Sequence, residues 1–520
     1  MTFLSFGDIL YLVKVGLFVT VCFPHSQTNK LYWKERIASA IREFELDKYT
    51  STNPKSLPTA EELRAALAAT GSSSAREAIA TLYDADTFVE TGAYVKRGFA
   101  EYLADEKTSA FESVITGYGA VDGKLVFTYA FDFTRNKGAV DEKTAAKIVS
   151  LYETATKNGA PVVAILDSAG ADVFEGVSAL AAYARILRAA AAASGVVPQF
   201  AYVIGKCSGT LATLSAMCDA VLLADGAELY VTAPSLTAKE NAQKALLTYS
   251  GDKASCAGYL RALISFLPSC ADLGVSVSAP TDDLNRMLGN VTFGKSAEVA
   301  VSAIADGGFF LPASKTASIL CAYATIGGVK CGVVASDATE TDGKLDAKSA
   351  RVAARFVDLC DAWSLPIITL VDSKGIDASG ESEESFAAEL AKLAFAYAGA
   401  SVPKITVVLG NAIGASFILL GSRALGADVV YALDSAEIGA LAAEAGVAFA
   451  WEKHISGDKS REELAAEWKA SVASPVAAAE TGEIDDIISI SELRCRIASA
   501  ALMLSAKGTV APSHRAVRPL

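Results

Sequence analysis

Residues 161–170 read PVVAILDSAG and residues 366–375 read PIITLVDSKG, so the chain repeats itself at an offset of 205 (161 to 366). The register holds outward in both directions. Gly123 meets Gly328, Asp132 meets Asp337, Thr134 meets Thr339, Gly138 meets Gly343, Asp141 meets Asp346 and Lys143 meets Lys348. Downstream, Asp172 meets Asp377, Pro198 meets Pro403, Gly205 meets Gly410 and Gly209 meets Gly414, with no gap from 123 to 209. Chance matches in an Ala-rich chain do not supply such an ordered set of Gly, Pro and Asp. The period is far beyond the 20–50 residues of solenoid repeats. It therefore marks a duplicated domain, and 520 residues are enough for two separate cores.

Each copy shows one order of elements. A β-run (125–133; 330–337) precedes a helix (143–159; 348–363), then an apolar strand ending in Asp-Ser-x-Gly. A second helix follows (176–193; 381–400), then a strand (198–205; 403–410) that runs into a tight turn and a small-residue helix. A last strand closes the copy (219–225; 428–434). Apolar strands alternating with helices predict an α/β class with a mainly parallel sheet under helical cover, the repeated β-turn-α units suggesting a stacked, spiral arrangement. Residues 50–110 read as a helical lead-in. An apolar helix, GYLRALISFL, ends near Pro268, an amphipathic helix follows residue 450, and a final helix lies near 491–506. The expected division is an extension over 1–50, a first domain over 51–270 and a second over 271–520.

The turns after the strands carry the chemistry. Gly205-Lys206-Cys207-Ser208-Gly209-Thr210 connects a strand to a helix whose first amides have no partner inside it. The helix dipole favours negative charge at that point. Such amides are the physical content of an oxyanion hole, where one donor is worth about 3 kcal/mol of transition-state stabilisation. Gly410 to Ala415 has the same form, and the turns Asp167–Gly170 and Asp372–Gly375 lie at the strand ends where α/β sheets bind ligands. A plainer reading stands beside this one. A Gly between strand and helix often only makes the turn, and a strand-end Asp caps it. Lys137 and Lys206 are placed to meet phosphates, or else are solvated surface charges. Ser168 and Ser373 lack a G-x-S-x-G setting and a His partner, so a serine nucleophile is not expected.

Totals narrow the field. A net charge of −13 argues against nucleic-acid binding, which needs clustered Lys and Arg. Nine cysteines without a C-x-x-C pair suggest reduced cytosolic thiols rather than disulfides or zinc, and no metal site is expected. Only His25, His454 and His514 are present, none in the repeat, so chemistry based on a His base is poorly supported. The apolar run from Ile9 to Phe23 contains Lys14 and is shorter than the roughly 20 residues of a spanning helix. It reads first as an adventitious or peripheral extension, with an ordinary docked segment or a membrane anchor as alternatives, and it lacks the basic leader and cleavage site of a signal peptide.

The runs FDFTRNKGAVDEKTAAKI, PVVAILDSAGADVFEG and ASGVVPQFAYVIGKCSGTLATLSAMCDAVLLAD, with ARFVDLCDAWSLPIITLVDSKG and SVPKITVVLGNAIGASFILLGSRALGADVVYALDSAEIGAL in the second half, resemble the carboxyltransferase subunits of biotin-dependent acyl-CoA carboxylases and decarboxylases. The resemblance spans roughly residues 75–520. It implies two tandem crotonase-like ββα-superhelix domains, with acyl-CoA held by the first and biotin by the second. It implies a site formed between the first domain of one protomer and the second domain of another. Gly209 and Thr210 fall where the family places a Gly pair that stabilises the acyl-CoA enolate, and Gly414 and Ala415 match the pair facing the biotin ureido oxygen. Ligand contacts are expected from Ala169, Gly170, Lys206 and Ser208 in the first copy and Gly375 in the second.

Some positions depart from the family pattern. Thr210 replaces a Gly, Asp-Ser-Gly-Gly-Ala-Arg appears as Asp167 to Asp172, the second copy has Ser373 to Asp377 where a Pro-Gly-Phe run is typical, and the segment between Pro234 and Leu246 is short. No biotinyl Met-Lys-Met motif is present, so biotin arrives on another chain or domain. The implied partners are an acyl-CoA, a biotin carboxyl carrier protein, a biotin carboxylase or membrane decarboxylase subunit, and further copies of the chain in a dimer-based assembly up to a hexamer. The implied location is the cytoplasm. The changes clustered at the acyl-CoA turn keep open a non-catalytic scaffold subunit. A biotin-independent crotonase-type enzyme finds no placed side-chain acid or base.

Overall fold

The structure, a computed structural model, describes residues 59–96, 111–232, 247–271, 274–288, 296–377, 383–451 and 459–507. The three histidines, the apolar run 9–23, the segment 234–246 and the tail 511–520 lie outside the described residues. The chain divides into two compact units, residues 1–70 and 71–520. In the first, helix α1 (Ala60–Ala68) starts at a capping box in which Thr59 and Glu62 satisfy each other's amides.

The second unit contains both copies. Helix α2 (Ser74–Leu82) buries Ala75, Ala78, Ile79 and Leu82, one stripe at helical spacing. The first copy holds β1 (Val89–Thr91), β2 (Val114–Val121), β3 (Lys124–Phe131), α3 (Glu142–Asn158), β4 (Val162–Leu166), α4 (Val177–Ala193), β5 (Gln199–Val203), β6 (Lys206–Ser208), α5 (Thr210–Met217), β7 (Ala220–Ala224), β8 (Glu228–Tyr230) and β9 (Tyr249–Gly251). Its sheet runs β1-β2-β3-β4-β5-β7-β9, while β6 and β8 form a separate parallel ribbon. After α6 (Lys253–Phe266) and α7 (Ala297–Ile304), the second copy holds β10 (Phe310–Lys315), β11 (Ile319–Ile326), β12 (Val329–Ser336), α8 (Ala347–Ala362), β13 (Ile367–Ser373), α9 (Glu383–Gly399), β14 (Lys404–Ile413), α10 (Ala415–Leu419), β15 (Val429–Leu433) and β16 (Glu437–Gly439). It ends with α11 (Ala443–Ala450), α12 (Arg461–Ser471), α13 (Pro475–Glu480), β17 (Asp486–Ile488) and α14 (Leu493–Leu504). Its sheet runs β10-β11-β12-β13-β14-β15-β17, with β16 on the far end of β14.

From β3 and from β12 onward each sheet is parallel, as expected, and its central strands are buried on both faces. The helices begin where the repeat places Asp: Asp141 accepts the Thr144 amide at 2.7 Å and Asp346 the Ser349 amide at 2.6 Å. Two expectations need correction. Each copy opens on an antiparallel hairpin, not a lone strand, with β2–β3 turned by Asp122-Gly123 and β11–β12 by Gly327-Gly328, all at positive φ. The β2 sequence, VITGYGAV, hides its strand because Gly117 and Gly119 lie under Phe88 and Tyr83. A Cβ at Gly117 would sit 2.4 Å from the Val89 carbonyl. Nor do 219–225 and 428–434 close the copies: β9 and β17 each add an edge strand of three residues, too short to announce itself by periodicity.

The two copies share a core. Phe266 and Phe356 flank Tyr323 at ring-centre distances of 5.5 and 5.1 Å, and the Tyr259 hydroxyl donates to the Pro312 carbonyl. Arg355 donates to the Cys218 carbonyl at 2.6 Å. The carboxyl end of α6 is gripped from both copies: Lys124 Nζ donates to the carbonyls of Ile264, Ser265 and Leu267, and Lys330 Nζ to those of Ser265 and Phe266. These last carbonyls have no partner inside the helix, and the ammonium groups supply one. A second apolar cluster, including α7 and α14, is confined to the second copy.

One buried carboxyl predicts a pH dependence. Glu112 accepts from Thr144 Oγ1 at 3.1 Å, and burial together with the nearby Asp141 carboxylate pushes it up to about 7 from an ordinary 4.5. The folded chain therefore holds this proton more tightly than the unfolded chain. Its contribution to stability is fully present below about pH 4.5 and is lost as the pH rises through about 7. Glu112→Gln is expected to remove on the order of 2 kcal/mol of that decline, read as the wild-type-minus-variant difference in urea unfolding between pH 5 and 7.5.

Candidate active site

In the first copy three loops lock together beyond the ends of β3, β4 and β5. Asp167 Oδ1 accepts the Lys206 amide at 3.0 Å, and Ser168 N–H donates to the Lys206 carbonyl at 2.7 Å. Ala169 N–H donates to the Lys137 carbonyl at 2.9 Å, Ser168 Oγ donates to the Gly138 carbonyl, and Gly170 N–H donates to Ser168 Oγ. The repeated glycines are explained by this closeness. A Cβ at Gly205 would lie 2.1 Å from Asp167 Oδ1, and one at Gly138 would lie 2.4 Å from the Asp167 carbonyl. The second copy repeats the lock. Asp372 Oδ1 accepts both the amide and the side-chain N–H of Asn411, at 2.8 and 3.0 Å, and Cβ atoms at Gly410 and Gly343 would meet Asp372 at 2.4 and 2.1 Å. Asp167 and Asp372 each spend a carboxylate oxygen on the amide at the head of the next turn, which is the capping role. Gly205→Ala is expected to cost about 1–3 kcal/mol through this overlap. The double variant with Asp167→Ala should be no less stable than Asp167→Ala alone, read as a double-mutant cycle in urea.

The two turns then present their helix starts. Gly209 has φ 58° and ψ −124°, and Gly414 has φ 59° and ψ −132°, backbone that a Cβ excludes. Each glycine amide is already used: Gly209 N–H donates to the Tyr230 carbonyl at 3.1 Å and Gly414 N–H to the Gly439 carbonyl at 2.8 Å. The next two amides, of Thr210 and Leu211 in one copy and of Ala415 and Ser416 in the other, donate to nothing among the described residues. Thr210 and Ala415 are half-buried, at the edge of solvent. The left-handed backbone falls on Gly209 and not on Thr210, so the Thr side chain leaves its donor in place. Sequence reasoning missed the strands β8 and β16 that fix each turn from behind. Their three-residue lengths give no periodic signal, although β8 follows β7 and β16 follows β15 at the same place in each copy.

The structure thus gathers Ala169, Gly170, Lys206, Ser208, Gly209 and Thr210 around one turn, and Gly375, Gly414 and Ala415 around the other. Among these residues the amides of Ala169 and Gly170 are spent inside the lock. Asp172, the acidic departure, accepts the Phe174 amide and the Asn136 side-chain N–H, and so serves the local turn. No hydrogen bond or ion pair among the described residues joins 167–170 or 205–210 to 372–375 or 410–415. Side-chain chemistry is sparse. Burial pushes the Cys207 thiol up to about 11, which removes it as a thiolate nucleophile, and no group of three His, Cys, Asp or Glu among the described residues is placed to hold a metal. The arrangement can do one thing well: it offers fixed N–H donors, twice, to an oxygen that gains negative charge.

The sequence pattern of the carboxyl transferase domain matches residues 67–249 and 294–517, one segment on each copy. The chain belongs to the carboxyl transferase domain family. The methylmalonyl-CoA decarboxylase subunit alpha of Propionigenium modestum is 32% identical over 481 residues, covering 86% of this chain and 93% of the relative. A putative propionyl-CoA carboxylase beta chain of Bacillus subtilis is 32% identical over 479 residues, covering 86% and 93%. Among solved structures, the transcarboxylase 12S hexamer with methylmalonyl-CoA and methylmalonic acid bound superposes with a TM-score of 0.83 at 28% identity, covering 90% of this chain and 100% of the other. Both domains of this carboxyl transferase chain are therefore of the crotonase-like kind, in tandem. None of its described helices is long and apolar enough to cross a membrane.

Proposed function

We propose that this chain is the carboxyltransferase subunit of a biotin-dependent acyl-CoA carboxylase or decarboxylase. It moves a carboxyl group between biotin on a separate carrier and a short acyl-CoA of the propionyl/methylmalonyl or acetyl/malonyl type. The observation that carries this reading is the pair of free amides at two helix starts, one in each copy, in a chain of this family. In the first copy Thr210 N–H, with Leu211 N–H beside it, receives the thioester oxygen as charge moves onto it, and Gly209 supplies the backbone bend that exposes them. In the second, Gly414 bends the chain in the same way and Ala415 N–H, with Ser416 N–H, faces the ureido oxygen. A small, uncharged lining with two N–H donors fits such a neutral carbonyl. Biotin, when bound, supplies the ureido nitrogen that carries the carboxyl group and a basic atom for the substrate α-proton. The protein side needs no histidine for this: its part is to hold two carbonyl oxygens and exclude competing geometry.

Among the described residues the two turns have no bonds to each other within one chain, which supports a site completed by a second copy. The solved relative is a hexamer. A dimer-based homo-oligomer, a biotin carrier and a biotin carboxylase or membrane decarboxylase subunit complete the reading. The cytoplasm is the compartment we infer, because the eight described cysteines all carry free thiols. Purified chain incubated with carboxyl-labelled methylmalonyl-CoA or malonyl-CoA and biotin, free or on its carrier, should transfer label to biotin or release it as CO2. No transfer with either thioester would sink the catalytic reading. Saturable CoA binding without transfer would favour a scaffold that kept its ligand site, and no CoA binding would favour a scaffold without one.

A further inference from the structure

The two turns match in backbone and differ in charge. Lys137 and Lys206 bracket the same dipeptide from opposite sides: Lys206 O accepts from Ser168 N–H and Lys137 O from Ala169 N–H. Both residues are exposed, and neither ammonium group has an ion pair or hydrogen bond among the described residues. Several other cations of this acidic chain pair with carboxylates, as Lys315 does with Glu298 and Lys469 with Glu437. Lys137 is also held at φ 52°, next to Asn136 at φ 48°, left-handed backbone that side chains seldom adopt.

The second copy is an internal control. The partner of Lys137 at the repeat offset is Asp342, also left-handed at φ 54°, and the partner of Lys206 is Asn411. Asp342 pairs with Lys374 at 3.4 Å, and Lys374 stands where the first copy has Ala169. Asn411 is bound to Asp372. At these two repeat positions the second turn therefore carries no unpaired positive charge, while the first carries two. Duplication alone accounts for the shared geometry and not for this difference.

We infer that Lys137 and Lys206 are specificity-determining residues that hold an anionic oxygen group of the acyl-CoA, a phosphate or the acyl carboxylate, at the first turn, and that their absence from the second turn suits it to a neutral ring. The inference rests on the proposed acyl-CoA reaction. Lys206 lies on the turn that leads to Thr210, and Lys137 is tied to it through Ser168 and Ala169, so two unpaired ammonium groups there add long-range attraction to a site whose N–H donors act only at contact. Exposed charges of this kind act through a field that salt screens.

The test uses the full-length chain and calorimetric binding, with the rate of carboxyl transfer measured alongside. Lys137→Gln and Lys206→Gln are each expected to weaken methylmalonyl-CoA binding about fivefold and the double variant more than tenfold, with a shallower dependence on salt. Lys137→Arg and Lys206→Arg should restore it, and Lys157→Gln, a charge control at the end of α3, should change nothing. Propionyl-CoA, which lacks the acyl carboxylate, and 3′-dephospho-CoA thioesters separate the sources: the probe whose affinity no longer responds to the double variant lacks the group that the lysines hold. Wild-type affinity and salt dependence in the double variant, with transfer by the wild type intact, would overturn the inference and leave the proposed function standing. A wild type that binds no CoA thioester would overturn both.

Discussion

Thr210→Pro is expected to lower carboxyl transfer by about 10²–10³-fold while the fold survives. The substitution removes one N–H and little else. Thr210 is the first residue of α5, a position where proline fits because its amide has no partner in the helix. The residue before it must accommodate the proline ring, and Gly209, without a Cβ, does so at φ 58° and ψ −124°. Leu211 N–H remains, so the loss is partial. Ala415→Pro, behind Gly414, removes the equivalent donor of the second turn and should impair the biotin half alone. The measurement is the single-turnover transfer rate at saturating acyl-CoA, with circular dichroism and the urea midpoint as controls. A Thr210→Pro enzyme within threefold of wild type would show that this amide receives no developing charge. Thr210→Gly should stay near wild type, because the donor survives and only the side chain is lost.

The largest stability effect is expected at Arg494, on the last helix. Its side chain is fully buried, and Nη2 pairs with Asp306 Oδ1 at 2.6 Å and with Asp282 Oδ2 at 3.3 Å, while Nη1 donates to the Asp283 carbonyl. Asp306 in turn accepts the amides of Gly327 and Gly328, the hairpin turn between β11 and β12. Arg494→Met leaves Asp306 buried without its cation, which typically costs 3–5 kcal/mol. Asp282 is less exposed to the change, since it keeps Arg286 at 2.8 Å. The expected readout is a lower urea midpoint together with faster hydrogen exchange at Gly327 and Gly328. Adding Asp306→Asn removes the stranded charge and should recover part of the loss. An Arg494→Met chain as stable as wild type would mean that the pair contributes nothing beyond packing.

The difference between these two sites shows what a sequence reading reaches. The turn at Gly209 was visible because duplication wrote it twice, and an offset of 205 exposes any position whose backbone needs glycine or whose helix needs an aspartate cap. Arg494 sits inside a helix that the sequence marks only as the final one, near 491–506, and its partners lie 188 and 212 residues away along the chain. No local pattern records a pairing of that length. The β2 strand escaped for a related reason: its glycines are there because Phe88 and Tyr83 cross it, a fact of packing and not of periodicity.

By itself the sequence determined the duplication, the order of strands and helices, the positions of the two turns and, through its motifs, the family. These follow from local rules: aspartates that cap, glycines that bend, and apolar runs long enough to be buried strands. The tertiary structure decided which amides are free. The glycine at the apex of each turn was read as a donor with its neighbour, yet Tyr230 and Gly439 claim the amides of Gly209 and Gly414 from short strands that no periodicity announces. It also decided that Lys137 and Lys206 stay unpaired at one turn while Lys374 pairs with Asp342 at the other, because whether a lysine is neutralised depends on which side chains a distant loop brings beside it. Backbone form is inherited with the repeat, whereas hydrogen-bond occupancy and charge pairing are properties of the assembled chain.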